Sequence, residues 1–280
     1  MREHRIGVMQ GRLSPRPSDR LQAFPHASWP EEFALAKRIG FDFIEWIYEA
    51  PRAAENPIAT RAGRAAIRSC VHQSGLPVGS VCGDYFMIER LAGGSASERL
   101  RNSEALIALV GWTREIGGSR ILLPLLETSA VDSPELGAQV VESLQRVLPA
   151  LEECHVTLGL EMEIPGPEYA ALIQSVGHPR VRAYYDVGNS TAQGFDIAED
   201  VRPLLPLLEA VHVKDRVRHG TSRRFGEGAA NFSGFFARLA AAGYGGDFLV
   251  QHYFDADPED SARHSLGFVL ASLLAARRAA

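Results

Sequence analysis

A closed barrel of eight parallel strands wrapped by helices, the (β/α)8 or TIM barrel of the α/β class, is the fold this 280-residue sequence predicts. Three observations lead there. Short β-rich runs alternate with amphipathic helical segments from one end to the other, the pattern of parallel strands joined by crossover helices. The runs number eight, and the GxGxxG fingerprint of an open doubly wound sheet does not follow the first of them. No charge run, low-complexity stretch or Pro/Gly linker divides the chain, and 46% hydrophobic residues suffice for one large core, so residues 1–280 read as a single domain.

The strand candidates, in order, are Arg5–Gln10, Phe41–Ile47, Pro77–Cys82, Arg120–Leu126, Thr157–Met162, Val181–Asp186, Ala210–Lys214 and Asp247–His252, each followed by a loop and a helical pattern. The first loop, through Ser14-Pro15-Arg16-Pro17-Ser18, is long. Helix starts carry their own signals, because first-turn amides want a side-chain acceptor and a fixed φ. Ser28-Trp29-Pro30-Glu31 and Asp196-Ile197-Ala198-Glu199 read as capping boxes, while Ser133-Pro134 and Asp257-Pro258 put proline at the first helical position. In the third helix Leu106, Leu109 and Val110 share a packing face, with Arg101 and Glu104 elsewhere.

Composition narrows the function. A formal net charge of −5 supplies no positive field for a polyphosphate backbone, which disfavours nucleic acid as a partner. Cys70, Cys82 and Cys154 are odd in number and lack CxxC spacing, against a disulfide framework or a structural zinc site and in keeping with a reducing cytoplasm. The N-terminal apolar run is too short for a signal peptide, and no segment approaches the ~20 apolar residues that span a bilayer. A soluble cytoplasmic protein is expected, with self-association into a homo-oligomer left open.

In such a barrel the reacting groups project from the C-terminal strand ends. Strand five ends in Glu161, strand six in Asp186, strand seven in His212 and strand eight in Gln251. Two carboxylates, an imidazole and a carboxamide at one mouth make a mixed oxygen/nitrogen site suited to Mn²⁺, Co²⁺, Mg²⁺ or Zn²⁺. Taken singly, Glu161 could pair with a cation, Asp186 cap a helix and His212 sit satisfied in the interior; four on successive strand ends favour the metal site. Lys214 alternates onto the side of His212 as a donor to substrate oxygen, or stands as a solvated loop lysine. Glu45 and Trp46 close strand two as candidate substrate contacts, Trp46 as a pocket wall or as core. Glu163 falls on the side of Glu161, and His252 faces the helices. The basic loop after strand seven carries Arg216, Arg223 and Arg224 where barrels often bind phosphate, so an anionic substrate group is expected unless the run is a solvated face.

Leu160-Glu161, Tyr185-Asp186-Val187-Gly188-Asn189, Val211-His212-Val213-Lys214-Asp215 and Phe225-Gly226-Glu227-Gly228, with Val8-Met9-Gln10-Gly11-Arg12 and Phe43-Ile44-Glu45-Trp46, resemble the sugar phosphate isomerase/epimerase family of xylose isomerase-like TIM barrels over nearly the whole chain. The resemblance implies that Glu161, Asp186 and His212 are ligands of one divalent metal and that Gln251 completes the set. It also implies proton-transfer isomerisation or epimerisation of a sugar, sugar phosphate or related hydroxy-ketone through an enediolate, with Glu161 as base. Gln251 departs from the glutamate usual there, and a carboxamide offers an oxygen but takes no proton. With one base, isomerisation is expected over epimerisation unless Glu163 or His252 serves as the second. The rivals are a metal-dependent dehydratase of an inosose-like keto-sugar, an endonuclease IV-like repair enzyme, disfavoured by the charge and by Glu45, Cys82 and Glu127 at early strand ends, and a non-catalytic barrel subunit.

Overall fold

The first and last barrel strands pair with each other, Ile6 with Phe248, Gly7 with Leu249 and Val8 with Val250. That pairing closes a ring of parallel strands in the spatial order one, eight, seven, six, five, four, three, two. The structure, a computed structural model, describes residues 4–15, 22–254 and 256–279. Arg16, Pro17 and Ser18 of the expected first loop lie outside the described residues.

The strands run Ile6–Met9, Phe43–Ile47, Val78–Cys82, Arg120–Leu125, Thr157–Met162, Val181–Asp186, Leu208–Val213 and Asp247–Val250. All eight expected strands form, several one or two residues shorter at the ends. The trimming matters at the mouth, because Lys214, Gln251 and His252 stand just beyond their strands. After strand six the expected helix is broken into Val187–Ala192, Ile197–Asp200 and a 3₁₀ stretch Arg202–Leu207. The basic loop holds a small antiparallel hairpin, Asp215–Arg216 with Ser222–Arg223.

Apolar residues on both strand faces and the inner helix faces form one continuous core, whose burial is the main stabilising term. Helix Ala96–Glu115 buries Leu106, Leu109 and Val110 and leaves Arg101 and Glu104 exposed, as the periodicity requires. Ser133 caps through the Leu136 amide at 3.3 Å, and Asp257 accepts from Glu259 and Asp260 amides at 3.0 and 3.1 Å. Asp196 accepts from Ala198 N at 3.1 Å, but Glu199 turns to Arg238 instead of completing a box. Ser28 makes no cap hydrogen bond; its hydroxyl lies 2.7 Å from that of Ser14. A complete capping box forms at Ser95 with Glu98. Cys70, Cys82 and Cys154 are free thiols. Among the described residues no helix is long and apolar enough to cross a membrane.

Candidate active site

Parallel register brings the expected residues together: Asp186 is paired with His212 across strands six and seven, and His212 with Leu249 across seven and eight. Glu161, Asp186 and His212 are all buried and offer ligand atoms within 4.8 Å of one another. Asp186 does two jobs. Its Oδ1 accepts from Asn189 N at 2.7 Å, capping the short helix that follows, while Oδ2 lies 3.0 Å from Lys214 Nζ and 3.6 Å from His212 Nδ1. Gly188 lets that lysine pass, since a Cβ there would fall 2.2 Å from Lys214 Cγ. His212 turns its other nitrogen, Nε2, to Glu45 at 2.6 Å.

The charges are unequal in support. Burial drives the Glu161 carboxyl above the usual carboxylate range, and the charge of Asp186 adds to it. Burial pushes Asp186 the same way, yet Lys214 and His212 outweigh it and hold that carboxylate ionised. His212 is held well above the ordinary imidazole range because Glu45 and Asp186 overcome its desolvation. Gln251, 9% exposed, donates Nε2 to Gln22 at 2.7 Å and leaves Oε1 buried with no hydrogen-bond partner.

Beyond this geometry, comparison with known proteins decides the lineage. A sequence model of the xylose isomerase-like TIM barrel matches residues 33–272. The chain belongs to that family. L-ribulose-5-phosphate 3-epimerase UlaE of Salmonella paratyphi C is 25% identical over 238 residues, covering 80% of this chain and 81% of the relative. A solved L-ribulose 3-epimerase superposes with a TM-score of 0.77 at 19% identity, over 98% of this chain and 96% of the other. D-psicose 3-epimerase of Clostridium cellulolyticum H10, solved with D-tagatose, gives 0.75 at 16% identity over 96% and 99%. This member of the xylose isomerase-like family is an enzyme, and its barrel is the family's.

The remaining expected residues of this xylose isomerase-like barrel fall in different places. Glu45 is fully buried beneath the mouth and accepts from Ser80 at 2.7 Å, Tyr184 at 2.8 Å and His212. Its position is under the cluster, where it orients His212, instead of facing open space. Trp46 is also fully buried; it points to the helices, donates to Asn56 at 2.9 Å and packs on Trp29 and Phe24. Strand alternation separates these neighbours, so Trp46 does not wall the mouth. Glu163 stands at the rim, half-buried, and accepts from Gln193 at 3.0 Å.

Arg216 donates to Asn189 Oδ1 at 2.9 Å and to the Gly220 carbonyl, and Asn189 Nδ2 donates to Glu161 at 2.8 Å. Asn189 thus ties Glu161, Asp186 and Arg216 together, a role its place in the Asp-Val-Gly-Asn segment hinted at and the sequence reading left unassigned. Arg223 bonds Thr221 at 2.6 Å, and Arg224 pairs with Asp260 at 2.9 Å. The Gly-Glu-Gly amides are spoken for: Asp215 Oδ2 accepts from Gly226 N and Gly228 N, each at 2.9 Å. A Cβ on Gly228 would lie 2.0 Å from Asp215, so only glycine fits this wrap. His252 faces away from the mouth, bonded to the Arg12 carbonyl at 2.9 Å, and burial drops it to about 3. Asp84, absent from the expected set, holds a carboxyl against Gln22 Nε2 at 2.5 Å and Cys82 Sγ at 3.1 Å.

Proposed function

We propose that this enzyme is a divalent-metal-dependent epimerase of a ketose or ketose phosphate, inverting the carbon next to the carbonyl. The observation that carries the reading is the buried convergence of Glu161, Asp186 and His212, with the unpartnered Gln251 Oε1. The names of the relatives supply the direction of the chemistry. They favour epimerisation over the aldose–ketose isomerisation expected from Gln251.

The donor set fits a metal. Three oxygens and one imidazole nitrogen, crowded carboxyls and an acceptor with no donor are resolved by one divalent cation. Glu161, Asp186, His212 and Gln251 would hold it, with Mn²⁺, Co²⁺, Mg²⁺ and Zn²⁺ as candidates. Glu45 on Nε2 leaves Nδ1 of His212 for the metal, the carboxylate–histidine pairing that fixes a ligating ring. When bound, the ion polarises a substrate carbonyl and so acidifies the adjacent C–H.

The chain's own residues do the rest. Glu161, whose buried carboxyl holds a proton more readily than an exposed one, takes the proton from that carbon. Asn189 orients it. Lys214 donates to developing negative charge on substrate oxygen, and Arg216 with Glu163 forms a polar rim for hydroxyls or an anionic end.

The test pairs elemental analysis with an assay on free and phosphorylated ketoses. One divalent ion per chain, and epimerisation that chelation abolishes, is the expected result; an ion-free protein with undiminished activity overturns it. Chelation also lowers Tm, because an ion that binds only the folded state stabilises it by mass action.

A further inference from the structure

Inversion at a carbon needs a proton removed on one face and delivered on the other. Glu161 supplies one group, and Gln251 cannot supply the second. The other titratable groups near the mouth are engaged. Asp186 is ion-paired with Lys214, Glu45 is filled by three donors beneath the cluster, Glu163 stands at the rim on Gln193, and His252 points away into the first loop.

Asp84 differs from all of these. It directly precedes the short helix Tyr85–Ile88 yet makes no cap hydrogen bond; its carboxyl turns instead to Gln22 and Cys82. Both partners are neutral donors, and among the described residues no lysine or arginine pairs with it. Gln22 reaches across the mouth, accepting from Gln251 Nε2 at 2.7 Å and donating to Asp84 Oδ2 at 2.5 Å. Asp84 therefore stands two hydrogen bonds from the strand-eight position where the second carboxylate is missing.

We infer that Asp84 is the second proton-transfer residue of this enzyme, a catalytic group delivered from the loop after strand three in place of a strand-eight carboxylate. The inference rests on the epimerase reading above. Glu161 takes the proton from the carbon beside the carbonyl, and the C–H electron pair passes into the enediolate. As the enediolate collapses, the same carbon takes the proton of the Asp84 carboxyl on its other face. Asp84 is left as carboxylate and Glu161 as carboxylic acid, and solvent exchange or turnover in the reverse direction restores both. The surroundings agree, since burial raises the Asp84 carboxyl above the ordinary range, with Glu45 adding to it, and the charge of Asp84 in turn raises Glu161.

The experiment runs the metal-loaded full-length enzyme with ketoses and ketose phosphates in D₂O, following deuterium entry and inversion separately, alongside bound metal and Tm. Asp84→Asn is expected to keep its metal, its Tm and its deuterium exchange with retention, while inversion falls by roughly a hundredfold or more. Glu161→Gln is expected to lose exchange and inversion together. Asp84→Glu keeps an ionisable oxygen and serves if the asparagine variant does not fold, with inversion slowed more than exchange. Inversion within a few fold of wild type in Asp84→Asn, equal loss of exchange and inversion, or loss of the metal each overturns the assignment of Asp84 and leaves the epimerase reading standing. A wild-type enzyme that neither exchanges nor inverts any of these sugars overturns that reading, and the Asp84 assignment with it.

Discussion

The two ends of this barrel bury charge in opposite ways. At the N-terminal end Asp247 lies 2.5 Å from both Arg5 and Arg120, and Glu209 lies 3.5 Å from Arg120 and 3.4 Å from Arg182. Those arginines overcome burial and hold Asp247 below its ordinary range. Of the network's fully buried side-chain polar atoms, Arg120 Nε alone has no hydrogen-bond partner. At the C-terminal end Glu161 is supported by one neutral amide and driven upward, and Gln251 Oε1 has no donor. Buried polarity alone therefore says little about function. An excess of acceptors over cations, focused at strand ends, sets the mouth apart from the closed end, and the proposed cation and substrate site rests on that excess.

The comparison breaks most sharply at Asp186. Asp186→Ala is expected to lose the bound ion and, with it, several kcal/mol of transition-state stabilisation, about a thousandfold in rate. His212→Ala should behave alike. Full metal content in both, measured by elemental analysis, would move the site elsewhere.

Arg120→Met makes the converse cut. It takes their shared buried cation from Asp247 and Glu209 and leaves them only the more exposed Arg5 and Arg182, a loss of up to about 3–5 kcal/mol, the cost of removing one partner of a buried ion pair. Urea denaturation should register that loss while metal affinity stays at the wild-type value. A variant that lost metal without losing stability would show that the two ends are not separate in purpose.

Glu32 sharpens the comparison from a third position. It is a buried carboxylate near the mouth, yet Gly11 N at 2.9 Å, Leu13 N at 3.2 Å and the Ser14 hydroxyl at 2.8 Å fill it, pinning the loop after strand one. Burial outweighs those donors and raises it from 4.5 to about 7. Between those limits the folded chain keeps a proton that the unfolded chain releases. Its stabilising effect is thus full below pH about 4.5 and lost as pH rises through about 7, by up to about 3 kcal/mol. Glu32→Gln should flatten that slope in Tm measured against pH. An unchanged slope would place the titration on another group.

How far the sequence reached follows from the same contrast. Strands were legible because β-rich runs bounded by turn residues repeat with helical periods between them, and the quartet was legible because one polar residue closes each of four consecutive strands. Asp84 was not, since it lies two residues past its strand in a turn where sequence gives no direction to a side chain. Of the two alternatives for Trp46 the core one holds, because alternation sends Glu45 inward and Trp46 to the helices, whereas the donors that fill Glu45 come from distant strands and leave no local signal. The Ser28 box does not form because the Ser28 amide donates to the Pro25 carbonyl at 3.0 Å and its hydroxyl lies on that of Ser14, while Ser95–Glu98 satisfies the same rule.

The smallest expected effect lies in the basic loop, and it decides how far the site extends from the Glu161, Asp186 and His212 cluster. Arg224 is tied to Asp260 and Arg223 to Thr221 within the hairpin, both partly exposed, whereas Arg216 reaches inward to Asn189. A phosphate at the end of a ketose would draw guanidinium groups away from such weak surface partners, because charge-assisted paired hydrogen bonds to phosphate outcompete an exposed ion pair worth at most about 1 kcal/mol. Replacing Arg223 and Arg224 together by alanine should then raise KM about tenfold for a phosphorylated ketose, near 1.4 kcal/mol, and leave KM for the free sugar almost unchanged. The measurement is the ratio of the two KM values in the variant against wild type at fixed ionic strength. Equal shifts for both substrates would mark the loop as a solvated face and confine substrate recognition to Arg216 and the residues it touches.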